Sequence, residues 1–315
     1  MGNGTHTEQE AAWARALDGL SGSLARLTAA RAEVDSVVPG LAFYRHEAPT
    51  APLSCLYEPT VCVVAQGVKC VTLGEERYVY DARNYLISSL HLSGFVQILE
   101  ASPARPYLGL ALRLDLGELA ALVLDSQLPP PRRQAPRRGM ATGEASLPLI
   151  SAFQRLVDLQ AEPEDVPILA PVIRREIFYR LLVGEQGGRL RQMATAGSQP
   201  HQIALALDWL RTHFREPLAV EALATRVGMS ASSFYHHFRA ITALSPLQFQ
   251  KQLRLQEARR LMLEGHLEAA TAAFQVGYES PSQFSREYAR LFGEPPLRSV
   301  TRFRQAMAGE RLAPA

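Results

Sequence analysis

The chain has 315 residues, 47% of them hydrophobic and 20% charged, with 33 Lys+Arg against 31 Asp+Glu. That is a globular composition, long enough for two domains with their own cores, and it excludes a disordered or strongly polyionic protein. Three cysteines, a polar stretch from Met1 to Glu10 and no run of about 18 apolar residues argue against a disulfide framework, a secretory leader or a membrane span, and place the chain in the cytoplasm. Charge is unevenly shared: residues 201–315 hold 14 Lys+Arg and 10 Asp+Glu, a net of +4, whereas residues 1–200 hold 19 and 21. The basic excess sits at the C-terminal end, where a polyanion would dock.

In chain order, residues 8–33 repeat Trp13, Leu17, Leu20, Leu24 and Leu27 at helical spacing, which predicts an amphipathic helix within an N-terminal extension, 1–36. From about 37 to 115 the texture changes to short β-rich runs at 53–57, 61–65, 68–73, 77–80, 85–88, 95–100 and 107–114. Gly67, Gly74, 81–84 and Ser93–Gly94 separate them, a spacing that predicts a sandwich or small barrel. The proline-rich basic segment 128–139 reads as a solvated loop. Helical patterns follow at 149–159 and 172–182. Residues 37–195 thus form one unit, 196–200 a hinge, 201–306 a helical unit and 307–315 a tail.

The helical unit contains an internal repeat at an offset of 50 residues. Ser230 aligns with Ser280, Phe234 with Phe284, Phe238 with Tyr288, Ile241 with Leu291 and Pro246 with Pro296. Each copy is a short helix (Val220, Leu223, Ala224, Val227; then Ala269, Ala270, Ala273, Phe274), a glycine (Gly228, Gly277), and a serine-capped second helix. The glycine allows a tight turn with positive φ. The run Ser280-Pro281-Ser282-Gln283 predicts a full capping box. A long helix opened by Ser245-Pro246-Leu247-Gln248, with Phe249, Leu253, Ala258, Leu261 and Met262 on its buried side, joins the copies and ends at Gly265. Helix, glycine turn and capped helix with an outward polar face make the helix-turn-helix pattern, and a connector of about 20 residues, roughly 30 Å long, would let one chain reach two successive major grooves.

Residues 203–304, and above all GYESPSQFSREYARLFGEPP and SPLQFQKQLRLQEARRLML, resemble the AraC/XylS-type transcription regulators. Ala243 departs by standing where a glycine is common, and alanines crowd 268–273. The segment CVVAQGVKCVTLGEERYVYDARNYLISS and the later LAPVIRREIFYRLLVGEQGGRLRQMA are similar to the N-terminal region of a subgroup of these regulators. The implied fold is α+β and multidomain: an N-terminal cupin-like β-barrel with flanking helices, then an all-α double helix-turn-helix domain. The implied partners are double-stranded operator or promoter DNA, a small-molecule effector, RNA polymerase and a second copy of the chain, with no membrane.

Carried onto this sequence, the resemblance points Ser232, Ser233, Tyr235, His236 and Arg239 of the first recognition helix, and Ser282, Gln283, Ser285 and Arg286 of the second, at DNA. Arg286 suits guanine and Gln283 adenine, while Arg290, Lys251 and Arg254 suit phosphate. The plain alternative is a solvated polar face or internal ion pairs, and it weighs most for His237, Arg254 and Glu287. Phe234, Phe238, Phe284 and Tyr288 have core spacing.

No cofactor is expected. A metal-binding cupin needs a clustered His set, and 37–115 holds only His46 and His91, so no metal is expected either. Nor is there a G-x-S-x-G, a Walker loop or a Cys-x-x-Cys. The expected N-terminal feature is an apolar effector cavity with Val61, Val63, Tyr78, Tyr80 and Leu86 as candidate lining. Cys62 and Cys70 flank Gln66–Gly67 and could face each other as a thiol sensor; the ordinary alternative is a pair of buried core residues. The other readings are a cupin-type enzyme tethered to DNA and a ligand-independent DNA binder.

Overall fold

The structure is a computed structural model that describes residues 2–126 (side chains from Glu8), 128, 138–265 and 267–302. Most of the basic loop expected at 128–139, and the tail at 307–315, lie outside the described residues.

Helix α1 (Gly2–Leu27) ends earlier than its pattern predicted. The chain then builds two antiparallel sheets. The first runs in the order β1 (Glu33–Asp35), β2 (Leu41–His46), β9 (Tyr107–Arg113), β4 (Thr60–Gln66), β7 (Asn84–Ser88), β10 (Met140–Glu144). The second runs β3 (Leu53–Tyr57), β8 (Leu92–Glu100), β5 (Val68–Leu73), β6 (Glu76–Tyr80). They face each other but are not closed into the barrel the resemblance implied: each keeps two free edges.

Strand alternation divides the apolar residues between two cores. Leu41, Phe43, Val61, Val63, Ile87, Leu110 and Leu112 point away from the second sheet, into a layer made by α1, α3 (Leu147–Asp158) and α4 (Val166–Val183). Leu20, Leu24, Ile150, Phe153, Ile177 and Leu181 complete that layer. Helix α4 starts six residues before its sequence pattern and runs through Pro171. A further helix that the pattern did not show, α2 (Leu116–Asp125), packs beside it, as does α5 (Gly187–Ala194), which closes the segment that resembles the N-terminal region of the subgroup.

The other faces of the strands enclose a second core with Cys62, Val64, Val71, Leu73, Tyr80 and Leu86. That core continues without a break into the helical unit through Met193, Ile203, Leu207, Phe234, Phe238 and Ile241. A third core, with Leu255, Ala258, Met262, Phe284 and Tyr288, belongs to the last helices alone.

The helical unit consists of α6 (Gln199–His213), α7 (Val220–Arg226), α8 (Ala231–Thr242), α9 (Pro246–Glu264), α10 (Ala269–Gln275) and α11 (Pro281–Phe292). The 196–200 hinge is short, because Ser198 already caps α6 by accepting from the His201 N–H. Gly228 (φ 73°) and Gly277 (φ 92°) make the two tight turns. At Gly277 a side chain is also excluded by space, since a Cβ would run into the Arg215 carbonyl.

Candidate nucleic-acid interface

Both second helices are built the same way. Ser230 caps α8 by accepting from the Ser233 N–H, and Ser280 caps α11 by accepting from the Gln283 N–H. Each ends in a left-handed residue, Ala243 (φ 65°) and Gly293 (φ 81°). Phe234, Phe238, Phe284 and Tyr288 are all fully buried, which fixes the opposite face outward. On α8 that face exposes Ser232, Tyr235, His236 and Arg239, with Ser233 half-buried beside them. On α11 it exposes Ser282, Gln283, Arg286 and Arg290, with Ser285 half-buried. Among the described residues, no carboxylate pairs with Arg239, Arg286 or Arg290. Connector α9 carries the full capping box at Ser245 and Gln248 and spans 19 residues, about 28 Å.

Several expectations are corrected. The Ser280 box is only half made, because the Gln283 side chain turns along its own helix and donates to Glu287 (3.2 Å). Glu287 is the hub of this face: it also accepts from Lys251 (2.7 Å) and from the Tyr278 hydroxyl (2.8 Å), and these donors hold its carboxyl below the usual range. Arg254, expected at phosphate, is engaged within the protein. Its guanidinium donates to the carbonyls of Phe214 (2.7 Å), Gly277 (2.7 Å), Glu216 (3.0 Å) and Arg215 (3.2 Å), so it braces the turn between the repeats. His237 is buried. In α10 it is Ala272 and Ala273 that are buried, whereas Ala270 and Phe274 face out.

The helical unit is docked on the sheets. Arg138 donates to the carbonyls of Arg239 (3.0 Å) and Ala240 (2.9 Å) at the end of α8 and pairs with Glu76 (2.9 Å). Gly139 N–H donates to the Ile241 carbonyl (2.9 Å). Arg211 of α6 donates to His91 Nε2 (2.8 Å), and Gln256 of α9 to Ser54 of β3 (3.1 Å). None of these contacts was visible in the sequence, because they join segments 62 to 202 residues apart.

The candidate effector residues divide. Tyr80 and Leu86 lie in the core between the sheets with Tyr78 against it, but Val61 and Val63 point to the helical layer on the other side of β4. The expected pairing of Cys62 with Cys70 fails for a related reason. Gly67 is a corner at which the chain leaves one sheet for the other, not a hairpin turn: β4 pairs with β7 and β9, and β5 with β6 and β8. Cys62 and Cys55 instead share the space between the sheets, and burial raises both their pKa values, keeping them as neutral thiols.

Two capped helices on separate cores, each showing a polar and basic face, define a double helix-turn-helix protein that reads DNA. Residues 37–189 match the family described as the AraC-type transcriptional regulator N-terminus, and residues 223–302 match a helix-turn-helix domain. The chain is similar to the transcriptional activator RhaS of Shigella dysenteriae serotype 1, with 22% identity over 233 residues, 74% of this chain and 76% of RhaS. It is similar also to the regulator CdhR of Pseudomonas aeruginosa, with 27% identity over 161 residues, 51% of this chain and 46% of CdhR. An apo variant of ToxT from Vibrio cholerae shares the fold, with a TM-score of 0.55 and 10% identity over 83% of this chain and 97% of ToxT. ToxT with an unsaturated fatty acid bound gives a TM-score of 0.52 at 9% identity over 82% of this chain and 94% of ToxT. This chain belongs to the AraC family of DNA-binding transcription regulators. Among its described residues no helix is long and apolar enough to cross a membrane.

Proposed function

We propose that the protein regulates transcription in response to a small molecule held by the N-terminal sheets, and is not an enzyme. The carrying observation is the core shared by the inter-sheet space and the first helix-turn-helix: anything that repacks Tyr80, Leu86 or Leu92 also presses on Phe238 and Ile241. In this reading α8 and α11 enter successive major grooves. Arg286, Gln283 and Ser282 read bases in one, and Arg239, His236, Tyr235, Ser232 and Ser233 contact the other. Arg290 and Lys251 lie on phosphate, and Ser285 supports the second helix. The fatty acid in the ToxT structure supports an effector in this fold.

The same reading includes a homodimer through α4, where Ile168, Val172, Tyr179 and Val183 leave an exposed apolar stripe at helical spacing. Val172→Glu is expected to turn a dimer into a monomer in light scattering; an unchanged mass would rule that surface out. RNA polymerase contact belongs to the same proposal, as do residence in the cytoplasm and the boundaries at 36, 195, 200 and 306.

Footprinting of the purified protein on DNA flanking its own gene tests the main reading. The expected result is protection over two half-sites one helical turn apart. Arg286→Ala is expected to lose preference at one base position by about 1–3 kcal/mol while keeping weak non-specific affinity. An equal loss on every sequence would reassign Arg286 to phosphate.

A further inference from the structure

Gln283 carries the only amide side chain in α11, and it stands on the exposed face. An amide has an accepting half and a donating half, so its orientation decides what it can recognise. The Gln283 Nε2 donates to Glu287 Oε1, one turn further along the helix (3.2 Å). The reverse orientation would set the amide oxygen against a carboxylate oxygen, so Glu287 fixes which half lies where. That contact engages one N–H and leaves the carbonyl oxygen and the second N–H for DNA. An acceptor beside a donor complements the N6 donor and N7 acceptor that adenine shows in the major groove.

A polar pair one turn apart on a solvated helix is weak by itself. Here the acceptor is held in place. The Glu287 side chain is only 20% exposed, and it accepts from the Lys251 ammonium (2.7 Å) through Oε1 and from the Tyr278 hydroxyl (2.8 Å) through Oε2. Tyr278 is in turn a core residue, its ring edge-on to Phe284 with centres 5.4 Å apart. It follows Gly277, whose carbonyl accepts from Arg254 (2.7 Å). The brace thus runs from the core beneath α11 out to the exposed amide. The first head is not built this way. Its matching positions are Ser233 for Gln283, His237 for Glu287 and, after the turn glycine, Met229 for Tyr278, none of them a carboxylate.

We infer that Glu287 is a positioning residue for base recognition: anchored by Tyr278 and Lys251, it holds the Gln283 amide in the one orientation that selects adenine. It touches no base itself and acts through Gln283. This inference rests on the reading of α11 as a groove-binding helix and supplies the group that sets one of its base preferences.

The test is selection of bound duplexes from a randomised DNA pool by the purified full-length protein and its variants, followed by sequencing. Gln283→Ala is expected to level one position of the selected motif, where the parent favours adenine by roughly five- to 150-fold, the discrimination of one bidentate pair. Glu287→Ala is expected to cut that preference to about threefold or less and to leave the other positions of the motif sharp. Glu287→Gln is expected to rescue it, because its carbonyl still accepts from Gln283 while its N–H donates to the Tyr278 hydroxyl. Both variants remove the same charge, so a purely electrostatic role would not separate them. Tyr278→Phe keeps the ring in the core and removes only the hydroxyl. It too is expected to weaken the adenine preference, and it carries the test if circular dichroism shows that Glu287→Ala does not fold. A Glu287→Ala protein with the parent's adenine preference, a Glu287→Gln protein as impaired as Glu287→Ala, or a base other than adenine at the position that Gln283→Ala levels would overturn the inference alone. A parent protein that selects no motif would overturn the regulator reading itself.

Discussion

Glu287 sets the electrostatics of the second reading face. A carboxylate beside a surface that meets phosphate is unfavourable at long range, but this one serves three local donors: Lys251, Gln283 and Tyr278. Removing it releases the Lys251 ammonium to the solvent side and frees the Gln283 amide. Glu287→Ala is therefore expected to raise non-specific DNA affinity and to steepen the salt dependence by about one counterion, a log–log slope change of roughly 0.9. Filter binding from about 50 to 200 mM salt, a range over which such contacts are strongly screened, reads both quantities. An unchanged slope would show that Lys251 stays clear of phosphate.

At the scale of elements, the C-terminus of α8 carries a local conflict. Ala243 holds a left-handed conformation that costs an L-residue about 1–2 kcal/mol. Its methyl group also sits where the β5–β6 turn must be glycine: a Cβ on Gly74 would lie 2.6 Å from it. Ala243→Gly is expected to stabilise the protein by about 0.5–1 kcal/mol, the relief of backbone strain being partly offset by a more flexible unfolded chain. Urea denaturation measures it, and a loss of stability would mean that the methyl contact outweighs the strain. The elements around this site also show how far the sequence could be read. The repeat exposed α7 to α11, because caps, glycines and buried aromatics are local signals that recur 50 residues apart. Strands β3 to β9 were legible from alternation and turn residues. Which face of β4 met which core was not, since a strand buried on both sides has no polar face to set its phase. Strands β1, β2 and β10 and helix α2 lacked either a clear period or a breaker. The bracing role of Arg254 was not legible, because its helical position says nothing of the carbonyls that the neighbouring turns bring to it.

For the whole molecule, the docking of the helical unit on the sheets is sensitive to pH. His91 accepts from Arg211 through Nε2, while its Nδ1 is buried without a partner among the described residues. Burial and the Arg211 charge push its pKa down to about 4, with Glu58 and Asp208 opposing them. The unfolded chain takes up this proton near pH 6.5 and the folded chain only near 4. The contribution is therefore intact above about pH 6.5 and is lost as pH falls toward 4. His91→Gln, which keeps an acceptor and cannot take a charge, is expected to flatten the fall in melting midpoint between those limits. Parallel curves for the two proteins would show that other groups govern the acid side.

The two reading heads are not equivalent in what holds them. The first shares its interior with the sensor half, whereas the second is nearly self-contained at the far end of α9. A signal from the sheets thus reaches the leading head through a shared interior, and the trailing head through α9 and the narrow contact of α9 and α11 with β3. An operator for such a protein should contain one half-site whose grip hardly varies and another whose occupancy rises or falls with the effector, so that the switch lies in how much DNA is held and not in whether it is held at all.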